Sequence, residues 1–244
     1  MIPFMISAIK IVVLLGFLVF IHEGGHFIVA KLCKVKVNEF AIGFGPTIWK
    51  KQGKETKYAL RLIPLGGFVS MEGEDEASDA EGSFSKASVP KRIAIVVAGA
   101  TVNIIFAIVL YFILAIVYSG SMQFAFEKTG GFIGSTVEGL GKLFTGQIGI
   151  DQMAGPVGIS GLVAQTDGIF EFLNMLSIIS LSLGITNLLP IPALDGGKIV
   201  FLIIEGIRKK PLKQNTEVKI QLIGFAFLIT LALVVTWHDI IKII

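Results

Sequence analysis

The sequence predicts an all-α polytopic membrane protein with about four transmembrane helices and a small membrane-associated β-hairpin or sheet between the first and second. Hydrophobic residues make up 53% of the 244 positions and charged residues only 16%, whereas soluble proteins average roughly 25% charged residues. A helix needs about 20 apolar residues to cross a bilayer. Four stretches meet this requirement, at about 4–30, 93–118, 172–193 and 220–237. The whole chain, 1–244, is therefore expected to form one membrane-embedded domain.

The first predicted span ends in a cluster of ionisable residues, His22-Glu23-Gly24-Gly25-His26, which reads HExxH. Residues 11–21, just before it, include no polar side chain. Ionisable groups at membrane depth cost at least ~2.5 kcal/mol each and by default indicate a functional site. The alternative is a helix end at the membrane surface, with the His and Glu side chains reaching into water.

The spacing of this cluster suits a metal site. Residues at i and i+4 share one helix face, so the imidazoles of His22 and His26 can bind one ion. Glu23 then lies beside the ion, where it can take a proton from bound water, and this is the layout of a zinc hydrolase. Gly24 and Gly25 each cost about 1 kcal/mol relative to Ala in a helix, which indicates that another part of the chain approaches the backbone closely there.

The distribution of Lys and Arg predicts the orientation in the membrane. Residues 31–92 hold eleven of them, 119–171 hold two and 194–219 hold six. Because cytoplasmic loops carry an excess of Lys and Arg, we expect the first and third loops in the cytoplasm and the second outside. Both termini would then lie outside, and the HExxH motif would face the cytoplasmic side.

The first cytoplasmic loop is predicted to contain a pair of strands at 37–49 and 57–69, rich in β-branched and aromatic residues and interrupted by glycine and proline. It is either an ordinary hairpin or a sheet with an exposed edge, to which a peptide substrate can add itself as a further strand. The next segment, 72–81, has six acidic residues and is expected to be a solvated loop.

The second span carries one notable polar residue, Asn103, which follows the small residues Gly99-Ala100-Thr101. It can serve as a contact between closely packed helices or as support for an active site, and the sequence does not decide between these. The outward loop after this span is expected to form a short surface helix at about 139–150 and to break at Gly155-Pro156. No chemistry is assigned to it.

A second constellation, residues 187–197, ends the third span with two prolines in three residues. Proline interrupts a helix, and irregular backbone at this depth must line protein or water. Asp195 would supply an oxygen ligand that joins His22 and His26 and leaves a fourth position for water. Asn187 could donate a hydrogen bond to a developing oxyanion. The alternative interpretation is that Asp195 belongs to a solvated turn. Residues 200–207, which follow, are expected to form a short surface or re-entrant helix.

Together these residues resemble the site-2 protease family of intramembrane zinc metalloproteases, most closely its bacterial RseP-type branch. The family's HExxH motif matches residues 22–26, and its N-x-x-P-x-x-x-L-D-G pattern matches residues 187–196. Further family landmarks are similar to Gly43-Phe44-Gly45-Pro46, Pro64-Leu65-Gly66-Gly67-Phe68-Val69, Ala98-Gly99 through Asn103, and Gly155-Pro156-Val157-Gly158. The resemblance implies that the whole chain forms the membrane-embedded protease domain.

The chain departs from this family in one respect. RseP-type proteins usually carry one or two PDZ domains between the second and third spans, and the interval here, 119–171, is too short for one. The junction Tyr118-Ser119-Gly120-Ser121 suggests a deliberate deletion of the PDZ region, and the alternative is a naturally short member, whose sequence would look the same. The motifs of the predicted active site are intact.

The resemblance implies an endopeptidase of the bacterial inner membrane that uses Zn²⁺ held by His22, His26 and Asp195, with Glu23 and Asn187 as catalytic residues. Its substrates would be single-span proteins cut in or near the membrane, such as anti-sigma factors or remnant signal peptides. The hairpin of residues 37–69 is expected to receive the unwound segment of such a substrate as an added strand. No nucleic-acid partner is expected. The competing hypothesis is a metal-transporting or metal-binding membrane protein, but apart from Asn103 the outer halves of the spans offer almost no polar path.

Overall fold

The computed structural model describes residues 2–74, 76, 78–147, 149 and 155–243 of the chain. It confirms the predicted class, a mostly helical membrane protein with a small sheet between the first two helices. The elements in chain order are α1 Ile2–Leu32, β1 Val37–Gln52, β2 Lys57–Met71, a 3-10 turn Phe84–Lys86, α2 Val89–Ser119, α3 Met122–Phe144, α4 Pro156–Ala164, α5 Ile169–Asn187, α6 Asp195–Arg208 and α7 Gln214–Ile243.

Among the described residues, four helices are long and apolar enough to cross a membrane: α1, α2, α5 and α7. The third span ends at Asn187, earlier than the predicted position 193. The prolines at 190 and 192 explain the difference, because a proline supplies no N–H and its ring clashes with the preceding helical turn. The last span is longer than predicted and begins at Gln214.

The chain divides into two compact units, which are described separately. The site unit comprises residues 12–103 and 186–224, and the companion unit comprises residues 1–11, 104–185 and 225–244. All of the residues that the sequence singles out for chemistry belong to the site unit.

The core of the site unit is an apolar cluster contributed by α1, the sheet, α2 and α6. Its members are Ala30, Val35, Val37, Phe40, Val69, Met71, Phe84, Ile95, Val96 and Leu202. Phe27 packs edge-on against Phe40, with ring centroids 5.4 Å apart, an arrangement that aromatic pairs favour. The cluster therefore fixes the sheet against the ends of the helices that carry the predicted ligands.

The two strands are longer than predicted and strongly bent. Gly43 and Gly45 have φ values of 86° and 80°, a left-handed conformation that glycine adopts at little cost. Because of the bend, Phe40 pairs both with Val69 and with Tyr58. In the described part of the chain, residues 67–71 pair with residues 37–42 and with no other strand segment, so they form an edge of the sheet.

The acidic segment 72–81 is less solvated than predicted. Glu72 accepts hydrogen bonds from Asn38 at 3.0 Å and from Ser78 at 2.7 Å. Glu74 forms an ion pair with Lys198 at 2.8 Å. Asp75, which belongs to the same predicted loop, lies outside the described residues. The beginning of this segment is thus held by specific partners, which charge counting does not reveal.

In the companion unit, α3 includes the first part, 139–144, of the short helix that the sequence predicts at 139–150, and residues 148 and 150 of that prediction lie outside the described residues. Helix α3 runs over Met122–Phe144, and the Ser121 side chain caps its first turn by accepting a hydrogen bond from the Phe124 N–H. Glycines lower the helical propensity of this stretch, which explains why the sequence predicts only its end. Pro156 begins α4, because proline is tolerated in the first turn of a helix.

Candidate active site and metal centre

Three predicted ligand atoms converge within the site unit. Nε2 of His22 lies 3.2 Å from Oδ2 of Asp195, and Nε2 of His26 lies 3.4 Å from the same oxygen. The two Nε2 atoms are 3.3 Å apart. In the described part of the chain, this is the group of His, Cys, Asp and Glu side chains that could hold a metal ion.

The dimensions of this triangle fit zinc. Ligands at about 2.0–2.2 Å from a tetrahedral Zn²⁺ lie about 3.3–3.6 Å from one another, and the three observed separations range from 3.2 to 3.4 Å. Oδ2 of Asp195 is buried and has no well-aligned hydrogen-bond donor among the described residues, as expected of an oxygen that a cation satisfies. Two imidazole nitrogens and one carboxylate oxygen are also a donor set that zinc accepts.

The geometry of α1 and a backbone contact from α2 orient His26. One helical turn separates it from His22, so both rings project from the same face. Nδ1 of His26 is 2.8 Å from the carbonyl oxygen of Ile95, to which it donates as Nδ1–H. Such a bond selects the ring tautomer whose Nε2 lone pair is available to a metal.

His22 contacts Asn103 instead. Nδ1 of His22 is 3.3 Å from Nδ2 of Asn103, and Asn103 is completely buried. The structure thus places Asn103 next to a predicted ligand. The sequence left open whether Asn103 packs helices together or supports the active site, and this position favours the second role.

The two glycines inside the motif have different surroundings. A Cβ atom on Gly25 would lie 2.6 Å from the carbonyl oxygen of Ala98, whereas a Cβ on Gly24 would meet nothing within 4 Å. The expectation of a close approach is therefore correct for Gly25 and wrong for Gly24. A Cβ on Gly99 would lie 2.8 Å from two carbon atoms of the His26 ring, so α2 reaches the metal centre through small residues.

Asp195 is the first residue of α6 and not part of the irregular segment that precedes it. A carboxylate in the first helical turn is favoured by the helix dipole. Gly196 allows α6 to start against the preceding turn, since a Cβ there would lie 2.6 Å from the carbonyl carbon of Leu188. Ala193 adopts a φ of 75°, an unfavourable value for a residue with a Cβ. Such a conformation persists only where the surrounding structure holds it in place, so the turn that precedes Asp195 is held by its neighbours.

The carboxyl group of Asp195 is subject to two opposing influences. Burial raises its pKa, but the interactions with His22 and then His26 outweigh burial and hold the pKa well below its usual range. The group is therefore a carboxylate at neutral pH, which is the form that binds a metal.

A cavity of about 290 Å³ opens beside these ligands. Glu23 lines it together with residues of the sheet edge, and the Cγ of Glu23 would be only 3.1 Å from a Cβ on Gly67. At about 30 Å³ per water molecule, the cavity has room for several waters or a stretch of extended backbone. Among the described residues, those lining this cavity do not include Asn187, which is half-buried at the end of α5.

One charged residue at this cavity, Lys198, was not predicted from the sequence. Lys198 lines the cavity and pairs with Glu74 at 2.8 Å. Once α6 is known to begin at Asp195, the spacing of three residues places Lys198 on the same helix face. The predicted start of this helix at about residue 200 concealed the relation.

Comparison with known proteins identifies the family. The sequence pattern of peptidase family M50 matches residues 10–231. The zinc metalloprotease RasP of Geobacillus kaustophilus is 26% identical, over 97% of this chain and 98% of its own length. The regulator of sigma-W protease RasP of Bacillus subtilis is also 26% identical, over 97% of this chain and 99% of its own. A zinc metalloprotease RasP of Shouchella clausii reaches 45% identity over 125 residues, covering 50% of this chain and 30% of that protein.

The length of these alignments bears on the missing PDZ region. The alignment with the Bacillus subtilis protein spans 416 positions, well beyond the 244 residues of this chain, so that relative has many residues without a counterpart here. The converging ligand triangle, the four apolar helices and the matched family pattern agree with one another. The chain is a multi-pass bacterial membrane protein and a zinc metalloprotease, and it belongs to peptidase family M50, the site-2 protease family.

Proposed function

We propose that this metalloprotease hydrolyses peptide bonds in or near the transmembrane segments of single-span proteins, with His22, His26 and Asp195 as its zinc ligands. The observation that carries the proposal is the triangle of ligand atoms 3.2–3.4 Å apart, which shares a cavity with Glu23. When bound, zinc supplies Lewis acidity that activates water and polarises the scissile carbonyl.

Glu23 is the general base in this proposal. It lines the cavity but is not part of the ligand triangle, so its carboxylate is available to take a proton from water and to return it to the leaving amine. Such proton transfer contributes about 10²–10⁴-fold to the rate. Asn187 is proposed to donate to the developing oxyanion, a role whose loss costs about 10²–10³-fold in kcat.

Replacing Glu23 by Gln tests this role. The variant should retain zinc, because the three ligands are untouched, and should lose cleavage of a single-span model substrate. Glu55→Gln is the matched control, since Glu55 is an exposed residue paired with Lys31. Cleavage by the Glu23→Gln variant at the rate of the control would remove Glu23 from the base role.

The substrate is proposed to bind as an added strand. A helical substrate buries its peptide groups in i to i−4 hydrogen bonds, so it must unwind before it can be cut. The sheet edge at residues 67–71 supports this mode, because Gly67, Phe68, Val69 and Met71 line the catalytic cavity. Backbone hydrogen bonds to such an edge hold a peptide without demanding a particular sequence.

Cysteine cross-linking tests the added strand. The chain has one cysteine, Cys33, so a Cys33→Ser background can receive single cysteines at residues 67–71, and a control cysteine at Lys54 in the loop between the strands. Cross-linking to successive substrate cysteines should alternate with a period of two along the edge. Equal cross-linking from Lys54→Cys, or no periodicity, would argue against strand addition.

The orientation and the substrates complete the proposal. The excess of Lys and Arg in residues 31–92 and 194–219 supports an active site toward the cytoplasm, with both termini outside. The name of the Bacillus subtilis relative, regulator of sigma-W protease, supports anti-sigma factors as one substrate class, with remnant signal peptides as the other. Accessibility of single cysteines to an impermeant thiol reagent in intact cells tests the orientation.

A further inference from the structure

We propose that Asn103 is the positioning residue for His22: its side-chain amide fixes which ring nitrogen of His22 faces the metal. This inference rests on the proposed ligand set. Asn103 belongs to α2, is fully buried, and contacts Nδ1 of His22 at 3.3 Å. Burying an amide is costly unless it is hydrogen-bonded, so the contact has to be accounted for.

The chemistry of the imidazole determines what Asn103 must offer. A neutral ring carries one proton, so a His22 that presents the Nε2 lone pair to a metal carries its proton on Nδ1 and is a donor there. The amide oxygen and nitrogen of Asn are nearly the same size and exchange places when the amide turns over. In the proposed arrangement the amide is turned over, so that Oδ1 of Asn103 takes the place that Nδ2 occupies 3.3 Å from Nδ1 of His22 and accepts the hydrogen bond from Nδ1–H.

The neighbouring ligand shows the same arrangement with a different acceptor. Nδ1–H of His26 donates to the backbone oxygen of Ile95 at 2.8 Å. Both histidines are thus held from behind by α2, one through the main chain and the other through a side chain. Only the second contact can be changed by substitution, and groups in such positions typically account for about 10–100-fold in metal affinity.

Two variants separate this role from simple helix packing. Asn103→Asp keeps an acceptor of similar shape, so zinc affinity measured by competition with a chelator should stay near that of the wild type. Asn103→Leu keeps the volume and removes the acceptor, so affinity should fall by about 10–100-fold. The control is Thr101→Val in the same helix, because the Thr101 hydroxyl donates to the Val97 carbonyl within α2, at 2.8 Å, and not to a ligand of the proposed site.

A second readout reports on the tautomer directly. The chain has three histidines, so ¹⁵N-histidine NMR of the zinc-loaded protein can resolve His22. We expect a protonated Nδ1 and a metal-bound Nε2 in the wild type and in Asn103→Asp. If Asn103→Leu fails to fold, this spectrum of Asn103→Asp decides the question, and binding of His22 through Nδ1 would overturn the proposal.

The affinity measurement has its own contrary results. Wild-type affinity in Asn103→Leu, or equal losses in the Asp and Leu variants, would show that Asn103 only packs helices together. These results differ from those expected if the proposed ligand set and protease function were wrong. In that case the wild type itself would bind no zinc at this site and would cleave no substrate.

Discussion

Gly99 gives the sharpest test of the metal centre, because a single methyl group added there would strike a proposed ligand. In the Gly99→Ala variant, the new Cβ would lie 2.8 Å from both Cδ2 and Cε1 of His26 and closer still to Nε2. Carbon atoms in contact are normally about 3.5–4.0 Å apart. The ring must therefore retreat by about 0.7 Å or more, whereas metal–ligand distances tolerate about ±0.2 Å.

The expected result of Gly99→Ala is loss of zinc without loss of helix stability. Displacing a ligand should weaken zinc by more than the roughly 10–100-fold that outer groups contribute. Replacing Gly by Ala inside a helix by itself gains about 1 kcal/mol. Gly16→Ala is the matched control, since a Cβ on Gly16 in α1 would meet nothing within 4 Å, so it receives the same gain with no clash.

The assay compares zinc content after dialysis, zinc affinity by chelator competition, thermal unfolding and cleavage of a model substrate in the two variants. Gly16→Ala should equal the wild type in metal and activity. If Gly99→Ala held stoichiometric zinc with the affinity of Gly16→Ala, His26 would not be a zinc ligand in the observed arrangement, and the three atoms of the triangle would not form the metal site.

Three other sets of substitutions test the contacts around the site. Asp195→Ala should lose both zinc and cleavage, and retention of zinc in dialysed protein would show that the two distant motifs do not share one ion. Gly24→Ala should keep zinc and fold, whereas Gly25→Ala should unfold at lower temperature, because only Gly25 faces a carbonyl at 2.6 Å; equal melting temperatures would refute this. Arg92→Met should destabilise the protein by about 1–3 kcal/mol, because it leaves the half-buried carboxylate of Glu205 without its partner, and unfolding measurements should show the double variant with Glu205→Met to be less destabilised.

The site was predictable where its residues carry a periodic or chemical signature. Helix geometry predicts that His22 and His26 of the HExxH motif share one face. Asp195 was predicted as the third ligand because it is an acidic residue at an irregular helix end on the same predicted side of the membrane. The backbone contact that orients His26 could not be predicted in this way, because a residue of any type at position 95 supplies the same carbonyl oxygen. Lys198 was missed because the predicted start of α6 lies too late in the chain.

Close backbone contacts explain how ligands from distant parts of the chain are placed accurately enough to bind one metal ion. Gly25 and Gly99 bring α1 and α2 together behind His26. On the Asp195 side, a Cβ on Gly224 of α7 would lie 2.5 Å from the Cβ of Pro192, so α7 packs directly on the turn that precedes α6. Contacts between backbones have no rotamers to adjust, and close packing transmits displacement. The separations among the ligand atoms, 3.2–3.4 Å, therefore depend on how closely the helices approach one another, and Gly99→Ala, whose new methyl group meets the ring of His26, should change metal affinity before it changes the fold.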